Sequence, residues 1–230
     1  MKRKDSSIII GSGFIANKFK KYSKFIKDNN LIIYAAGVSN SGERKLLKFQ
    51  KEKKRFKKFY KSTNKKVVYI STCSINDISR SHGKYAKNKM QIEKFIKKNV
   101  EKYLIIRLPE IVGSNSNPFT LTNFFYYRIA NNLSLNIYKG VKRNLIDVDD
   151  AIKNCIKLLK KNKNKNNTIS LLNKQFYSPL KIIKCFEKIL RKKAKYRFKI
   201  KKHTGWTNQN NYYLKFNDKY LTKVLKKYYK

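Results

Sequence analysis

Apolar positions along the chain fall into short runs rich in β-branched and aromatic residues, separated by longer stretches where apolar residues recur every three or four positions. The runs at 7–10, 31–34, 67–70, 103–108 and 168–172 have the near-continuous pattern of strands covered on both faces. Between them, the periodicity predicts helices from the Gly turn at 11–13 to about 28, over about 43–60, and from near Tyr85 to 96. Further helices are predicted from the Asp-rich stretch at 149 to about 160, over 178–191 and over 216–228. Residues 136–138 and 144–148 read as short strands. Asp149 or Asp150 is placed to cap the helix that follows, and Ser178 with Pro179 opens another. Strands alternating with helices predict an α/β fold with a mostly parallel sheet and helices on both faces.

Composition narrows the function. The 230 residues fit one domain with a small appended lobe. A net charge of +44 ordinarily points to nucleic acid or an anionic membrane. Only nine of the 57 basic residues are arginine, however, and Asn and Ile are abundant. Lys, Asn and Ile together are what an AT-rich coding sequence favours, and Arg, the residue of base and phosphate forks, is not enriched. We therefore expect no specific nucleic-acid partner, only weak sticking at low salt. Cys73, Cys155 and Cys185 are odd in number and widely spaced, which predicts a reduced, cytoplasmic setting. The apolar stretch near the N-terminus is too short for a signal peptide. No run approaches the ~20 apolar residues of a membrane span. Two His residues in the chain give no basis for a metal cluster.

The candidate chemistry lies at the centre of the chain. The strand at 67–70 ends in Ser71, Thr72 and Ser74, hydroxyls at a strand's carboxyl end where open α/β sheets bind ligands. Tyr85 and Lys89 follow, four apart and so on one face of a helix. A neighbouring ammonium favours a phenolate, which suits general acid–base work at neutral pH. With 16 Tyr in a Lys-rich chain, such a pair also reads as an ordinary helix face. Similarly, GSG at 11–13 reads either as a phosphate-binding turn or as a plain tight turn.

Six pieces in order carry a resemblance: GSGFIA (11–16), YAAG (34–37), YISTCS (69–74), YAKNK (85–89), RLPEIVG (107–113) and NLIDVDDA (144–151). Together they resemble the extended short-chain dehydrogenase/reductase superfamily, in particular its NAD-dependent epimerase/dehydratases acting on nucleotide sugars. The resemblance implies a Rossmann-like core at 1–112 and 145–175, with a substrate-capping part at 113–144 and 176–230. It implies NAD or NADP as cofactor, held by Gly11, Ser12, Gly13, Phe14, Ile15, Ala35, Ala36, Gly37, Tyr85, Lys89, Pro109 and Ile111. Thr72, Tyr85 and Lys89 would form the proton relay, with Ser71 and Ser74 as alternatives to Thr72. A sugar nucleotide would meet Ser74, Asn117, Thr120, Asn123 and Arg128, with Arg128 on its diphosphate.

The chain departs from the pattern at the adenosine end. No acidic residue stands about 20 positions past the glycines, where the ribose is normally held. If AAG is the family's fourth-strand motif, the second and third strands are missing and the sheet is trimmed. If 31–34 is instead the true second strand, Arg44 or Lys45 would meet a 2′-phosphate. The implied activity is hydride transfer at a sugar carbinol or ketone, in surface-polysaccharide precursor synthesis, by a chain that could pair as a homodimer. The rival reading is a Rossmann-like module that binds a nucleotide or partner without turnover.

Overall fold

The computed structural model describes residues 8–207 and 210–230; Ser7, expected to open the first strand, lies outside them. In chain order the strands are β1 (Ile9–Ile10), β2 (Leu31–Tyr34), β3 (Lys66–Thr72), β4 (Tyr103–Leu108), β5 (Glu110–Val112), β6 (Leu135–Lys139), β7 (Leu145–Asp147), β8 (Asn167–Asn173), β9 (Tyr196–Ile200) and β10 (Asn211–Leu214). The helices are α1 (Phe14–Phe19), α2 (Ser23–Asp28), α3 (Leu46–Tyr60), α4 (Ile78–Ser81), α5 (Lys84–Asn99), α6 (Leu121–Ala130), α7 (Val148–Lys161), α8 (Pro179–Leu190) and α9 (Tyr220–Tyr228).

Six parallel strands form one sheet in the order β1-β2-β3-β4-β8-β10. Its double coverage can be followed residue by residue, because side chains along a strand alternate between faces. Leu31, Ile33, Val68, Leu104 and Ile106 pack with Phe19, Ile26, Ile152 and Leu159 of α1, α2 and α7. Tyr34, Val67, Tyr69 and Ile105 pack on the other side with Phe56, Ile92 and Ile96 of α3 and α5. β1 is an edge strand whose neighbour in the sheet is β2. Among the described residues no strand pairs with the outer side of β1, as the AAG reading requires.

A second core joins α6, β6, α8 and α9 through Phe125, Ile129, Ile137, Ile183, Phe186 and Leu225. β6 pairs with β9 beside it. The last sheet strand is β10, not β8: it pairs along β8 and puts Leu214 in the main core, so the stretch 176–230 does not belong wholly to the lobe. The first helix is broken into α1 and α2 by a 3₁₀ turn over Lys20–Tyr22. α3 begins at Leu46 rather than near 43, because Lys45 is extended and Glu43 accepts the N–H groups of Arg44 and Lys45. α7 is capped by neither Asp149 nor Asp150. β7 runs straight into the helix, so Asp147 stands at the turn and accepts from Asp149 N (2.8 Å) and Asp150 N (3.4 Å). Ser178 and Pro179 do open α8, with Ser178 Oγ accepting from Lys181 N. α9 starts at Tyr220, after Phe216. Among the described residues no helix is long and apolar enough to cross a membrane, and all three cysteines are free thiols.

Candidate active site

The carboxyl ends of β1 to β4 open into one cleft of about 810 Å³, the position at which parallel α/β sheets receive ligands. Its floor at β1 is the Gly turn. Gly11 has φ +131°, and a Cβ there would lie 2.7 Å from the Ala35 carbonyl oxygen, so this position needs glycine on both counts. Gly13 has an ordinary φ of −79°, and a Cβ on it would meet nothing within 4 Å. The side of the turn facing the cleft is therefore open.

Thr72 ends β3 and caps the next turn: its Oγ1 accepts from Ser74 N and donates to Ser74 Oγ, both at 3.1 Å. Ser71 also lines the cleft, but its hydroxyl donates to Glu93 Oε1 at 2.6 Å. Glu93 is further held by the Arg107 guanidinium (2.6–3.2 Å), so Ser71 belongs to a buried ionic knot. Gly83 precedes α5 and lets the helix start at Lys84, which brings Tyr85 and Lys89 to the cleft from one helix face. The Tyr85 hydroxyl has no hydrogen-bond partner among the described residues. The Lys89 ammonium lies 5.8 Å from the Tyr85 ring centre.

Lys89 is buried and its Nζ donates to Glu52 Oε1 at 2.7 Å. Glu52, equally buried on α3, also accepts from Val38 N (3.1 Å), Asn88 Nδ2 (3.0 Å) and the Tyr69 hydroxyl (3.3 Å). Burial first, and then the Glu52 charge, push the Tyr69 hydroxyl well above the usual phenol range. A Cβ at Gly37 would overlap Lys89 Nζ and lie 2.6 Å from Glu52 Oε1, so the glycine of AAG makes room for this pair.

The far wall of the cleft carries a second ionic cluster. Arg80 pairs with Glu110, and Arg143 pairs with Asp77 and reaches Ser79 Oγ at 3.2 Å. Burial and then the nearby Arg80 charge lower the Arg143 pKa. Burial pulls the Arg80 pKa down, but Glu110, joined by Asp77 and Tyr85, outweighs it and the value is raised. Cys73, also in the lining, is pushed far above the usual thiol range by burial and is a poor nucleophile.

Gly11, Ser12, Gly13, Phe14, Ile15, Ala35, Ala36, Gly37, Ser74, Pro109, Ile111, Asn117 and Thr120 line the same cleft as Thr72, Tyr85 and Lys89. Asn123 and Arg128 do not, which corrects the expectation for both. The Asn123 amide donates to the Asn115 and Asn117 carbonyls and its oxygen accepts from Tyr229. Arg128 donates to the Ser134 carbonyl at 2.6 Å and lies 5.5 Å from the Phe124 ring. At the adenosine end Arg55 lines the cleft, whereas Arg44 and Lys45 do not.

Sequence reasoning missed Glu52, Arg55, Arg80, Arg143 and Trp206. Two signals were available. Arg143 stands immediately before NLIDVDDA, and Glu52 is a carboxylate on the apolar stripe Phe49–Glu52–Phe56 of a lysine-rich helix.

No family model matches the chain, and no curated protein matches it. Solved structures do. UDP-N-acetylglucosamine 4-epimerase from Bacillus cereus is 14% identical with a TM-score of 0.66, over 96% of this chain and 98% of that one. UDP-glucuronic acid 4-epimerase from Bacillus cereus, in complex with NAD, is 19% identical with a TM-score of 0.62, over 90% of this chain and 75% of that one. RMD from Pseudomonas aeruginosa, complexed with NADPH, is 12% identical with a TM-score of 0.63, over 95% and 96%. The chain shares the fold of these proteins, with β1 at the edge of its sheet.

Proposed function

We propose that the chain is an NAD(P)-dependent oxidoreductase or epimerase acting at a carbinol or ketone of a nucleotide-linked sugar. The observation that supports this reading is convergence. The Gly turn after β1, Thr72 at the end of β3, and Tyr85 and Lys89 on α5 open onto one cleft, with the Tyr85 hydroxyl left without a partner among the described residues.

The residues present fit a dinucleotide at the turn. Gly11 brings its backbone against Ala35, and the open side of Gly13 gives a pyrophosphate close access to backbone N–H groups. The backbone of residues 11–15 would take the pyrophosphate, Ala35 to Gly37 the adenosine side, and Pro109 and Ile111 the nicotinamide. A bound nicotinamide dinucleotide would supply hydride exchange at the substrate carbon. Tyr85 then gives or takes the proton of the substrate oxygen, and Thr72 holds that oxygen by re-aiming the hydroxyl it now turns on Ser74. Lys89 places a positive charge beside Tyr85 and keeps donors free for a ribose, since one acceptor, Glu52, holds its ammonium. Arg80 and Arg143, not Arg128, are the far-wall cations available to the substrate.

One observation favours the non-catalytic alternative: the Lys89 charge is already matched by a buried carboxylate. The two readings separate experimentally. Titration with NADH and with NADPH is expected to give saturable enhancement of nicotinamide fluorescence, and no binding of either refutes the cofactor assignment. Cofactor binding with no turnover of UDP-glucose, UDP-glucuronic acid or UDP-N-acetylglucosamine favours the binding module.

A further inference from the structure

The loop between β9 and β10 is docked against the segment that follows Thr72. Trp206 and Asp77 form an antiparallel bridge. Ile78 N donates to the Gly205 carbonyl (3.0 Å) and Thr207 N to the Asn76 carbonyl (2.9 Å), while Asn76 Nδ2 returns a bond to the Thr207 carbonyl (3.2 Å). Asn76 and Asp77 are almost fully buried, so the contact is an integral part of the wall. It carries the single tryptophan of a chain with 16 Tyr and 14 Phe into the lining of the cleft.

The indole is held in a fixed attitude. Its Nε1 donates to the Lys142 carbonyl at 3.2 Å, and its ring meets Phe176 edge to face, centres 5.0 Å apart at 74°. With the N–H engaged by the protein, the ring has its carbon surface left to offer a ligand, the π face above all. Such a face attracts C–H groups of slight positive character and apolar surface. The same cleft is lined by two hydrogen-bonding cations, Arg143 and Arg80, each tied by a carboxylate.

A flat apolar platform rimmed by charged donors matches an amphipathic ring, one whose C–H face is apolar and whose edge carries hydroxyls. From this we infer that Trp206 is the platform on which the substrate's pyranose ring lies, presenting that ring's edge to Arg80 and Arg143 and its reacting carbon toward Thr72 and Tyr85. Trp206 is then a specificity-determining residue contributed by a loop outside every motif of the relay. This inference rests on the proposed reading for the sugar's identity as substrate, but its test reads the tryptophan directly.

Because Trp206 is the only tryptophan, all indole emission of the wild-type protein comes from this site. UDP-glucose, UDP-glucuronic acid and UDP-N-acetylglucosamine are titrated beside UDP, with NAD present. At least one sugar nucleotide is expected to shift or quench the emission, and UDP is expected to leave it unchanged while competing for the site. By calorimetry, Trp206→Ala should weaken that sugar nucleotide about tenfold (about 1.4 kcal/mol) and leave UDP unaffected. Trp206→Phe, which keeps a ring, should stay within about threefold of wild type.

Equal quenching by UDP, with equal loss of both ligands in Trp206→Ala, would make the indole a nucleobase platform and overturn the inference. So would unchanged affinities in a folded Trp206→Ala protein, or no response to any sugar nucleotide. Energy transfer from Trp206 to bound NADH is a separate readout. If it persists while the sugar arm fails, the cofactor reading stands and only the platform falls; its absence in a protein that responds to sugar nucleotides counts against the cofactor reading alone.

Discussion

Lys89→Met is the obvious test of the relay, and the geometry shows why it cannot be read on its own. The substitution removes the ammonium 2.7 Å from Glu52 Oε1 and leaves a carboxylate whose side chain is 2% exposed. Removing one partner of a buried ion pair costs about 3–5 kcal/mol, because the remaining charge is stranded. Three donors stay on Glu52, from Val38 N, Asn88 Nδ2 and the Tyr69 hydroxyl, which favours the lower end, about 3 kcal/mol. Against a total stability of ~5–15 kcal/mol, that loss is a large fraction, so the single variant mixes a stability change with any effect of the charge on the cofactor.

Glu52→Gln with Lys89→Met removes both charges and keeps an acceptor for Asn88 and Val38, so the double variant should lie within about 1 kcal/mol of wild type. The pair is measured as a double-mutant cycle by urea unfolding at neutral pH, with an expected coupling of at least about 2 kcal/mol. If Lys89→Met alone costs under about 1 kcal/mol, or the two changes simply add, Glu52 is not a stranded partner and the reasoning fails. If the double variant folds normally yet binds NADH weakly, the Lys89 charge itself serves the cofactor.

The glycines of the turn should behave oppositely. Gly11→Ala is expected to cost about 1–3 kcal/mol from its left-handed backbone alone, while Gly13→Val should leave the unfolding midpoint nearly unchanged and weaken NADH and NADPH. Unaltered affinity in folded Gly13→Val refutes the assignment at the turn. Tyr85→Phe should reduce turnover by roughly 10²–10⁴ with cofactor affinity preserved, and equal activity removes the relay. The Asp149 carboxyl is depressed to about 2, first by its hydrogen bond from Lys18. Its contribution to stability is therefore complete above the unfolded value near 4 and lost as pH falls toward 2. Because Asp149 is 39% exposed, Asp149→Asn should cost under about 1 kcal/mol at neutral pH and nothing near pH 2, and a pH-independent difference in melting temperature contradicts this. Any DNA or RNA binding should be sequence-independent and largely gone by moderate salt; a selective complex at physiological salt reverses that reading.

The sheet was legible because its strands are buried on both faces and so read as apolar runs, 31–34 and 103–108 to the residue. The missing strands were legible from AAG following the second run directly, and β1 at the sheet edge is the consequence. β9 and β10 were not legible. Phe198 and Ile200 of β9 are exposed, and β10, an edge strand of sequence NYYL, buries only Leu214, so neither has the pattern of a covered strand. That Thr72, Tyr85 and Lys89 come to one cleft was legible from strand end and spacing, whereas their charge environment was not. Arg128 looked suitable because it ends an amphipathic stretch, yet the last turn of α6 aims it at the Ser134 carbonyl. Trp206 reaches the cleft only because a distant loop pairs with 76–78, a contact with no local signature.

The few acidic residues show how a chain of such positive charge keeps a defined cleft. Only 13 acids face 57 cations in the sequence, and four of them, Glu52, Asp77, Glu93 and Glu110, are tied to Lys89, Arg143, Arg107 and Arg80 around one site. The reason is physical: a lysine or arginine can remain charged on the surface at little cost, but a buried one needs acceptors within hydrogen-bonding range, which at Lys66 are three backbone carbonyls and around the cleft are carboxylates. Most of the surplus charge is accordingly left to the exterior, while Lys89, Arg80 and Arg143 in the cleft are each paired with a carboxylate. On the proposed reading an anionic substrate shares Arg80 and Arg143 with Glu110 and Asp77, which trades raw electrostatic affinity for fixed geometry and leaves selectivity to groups that offer shape rather than charge, Gly13, Thr72 and Trp206 among them.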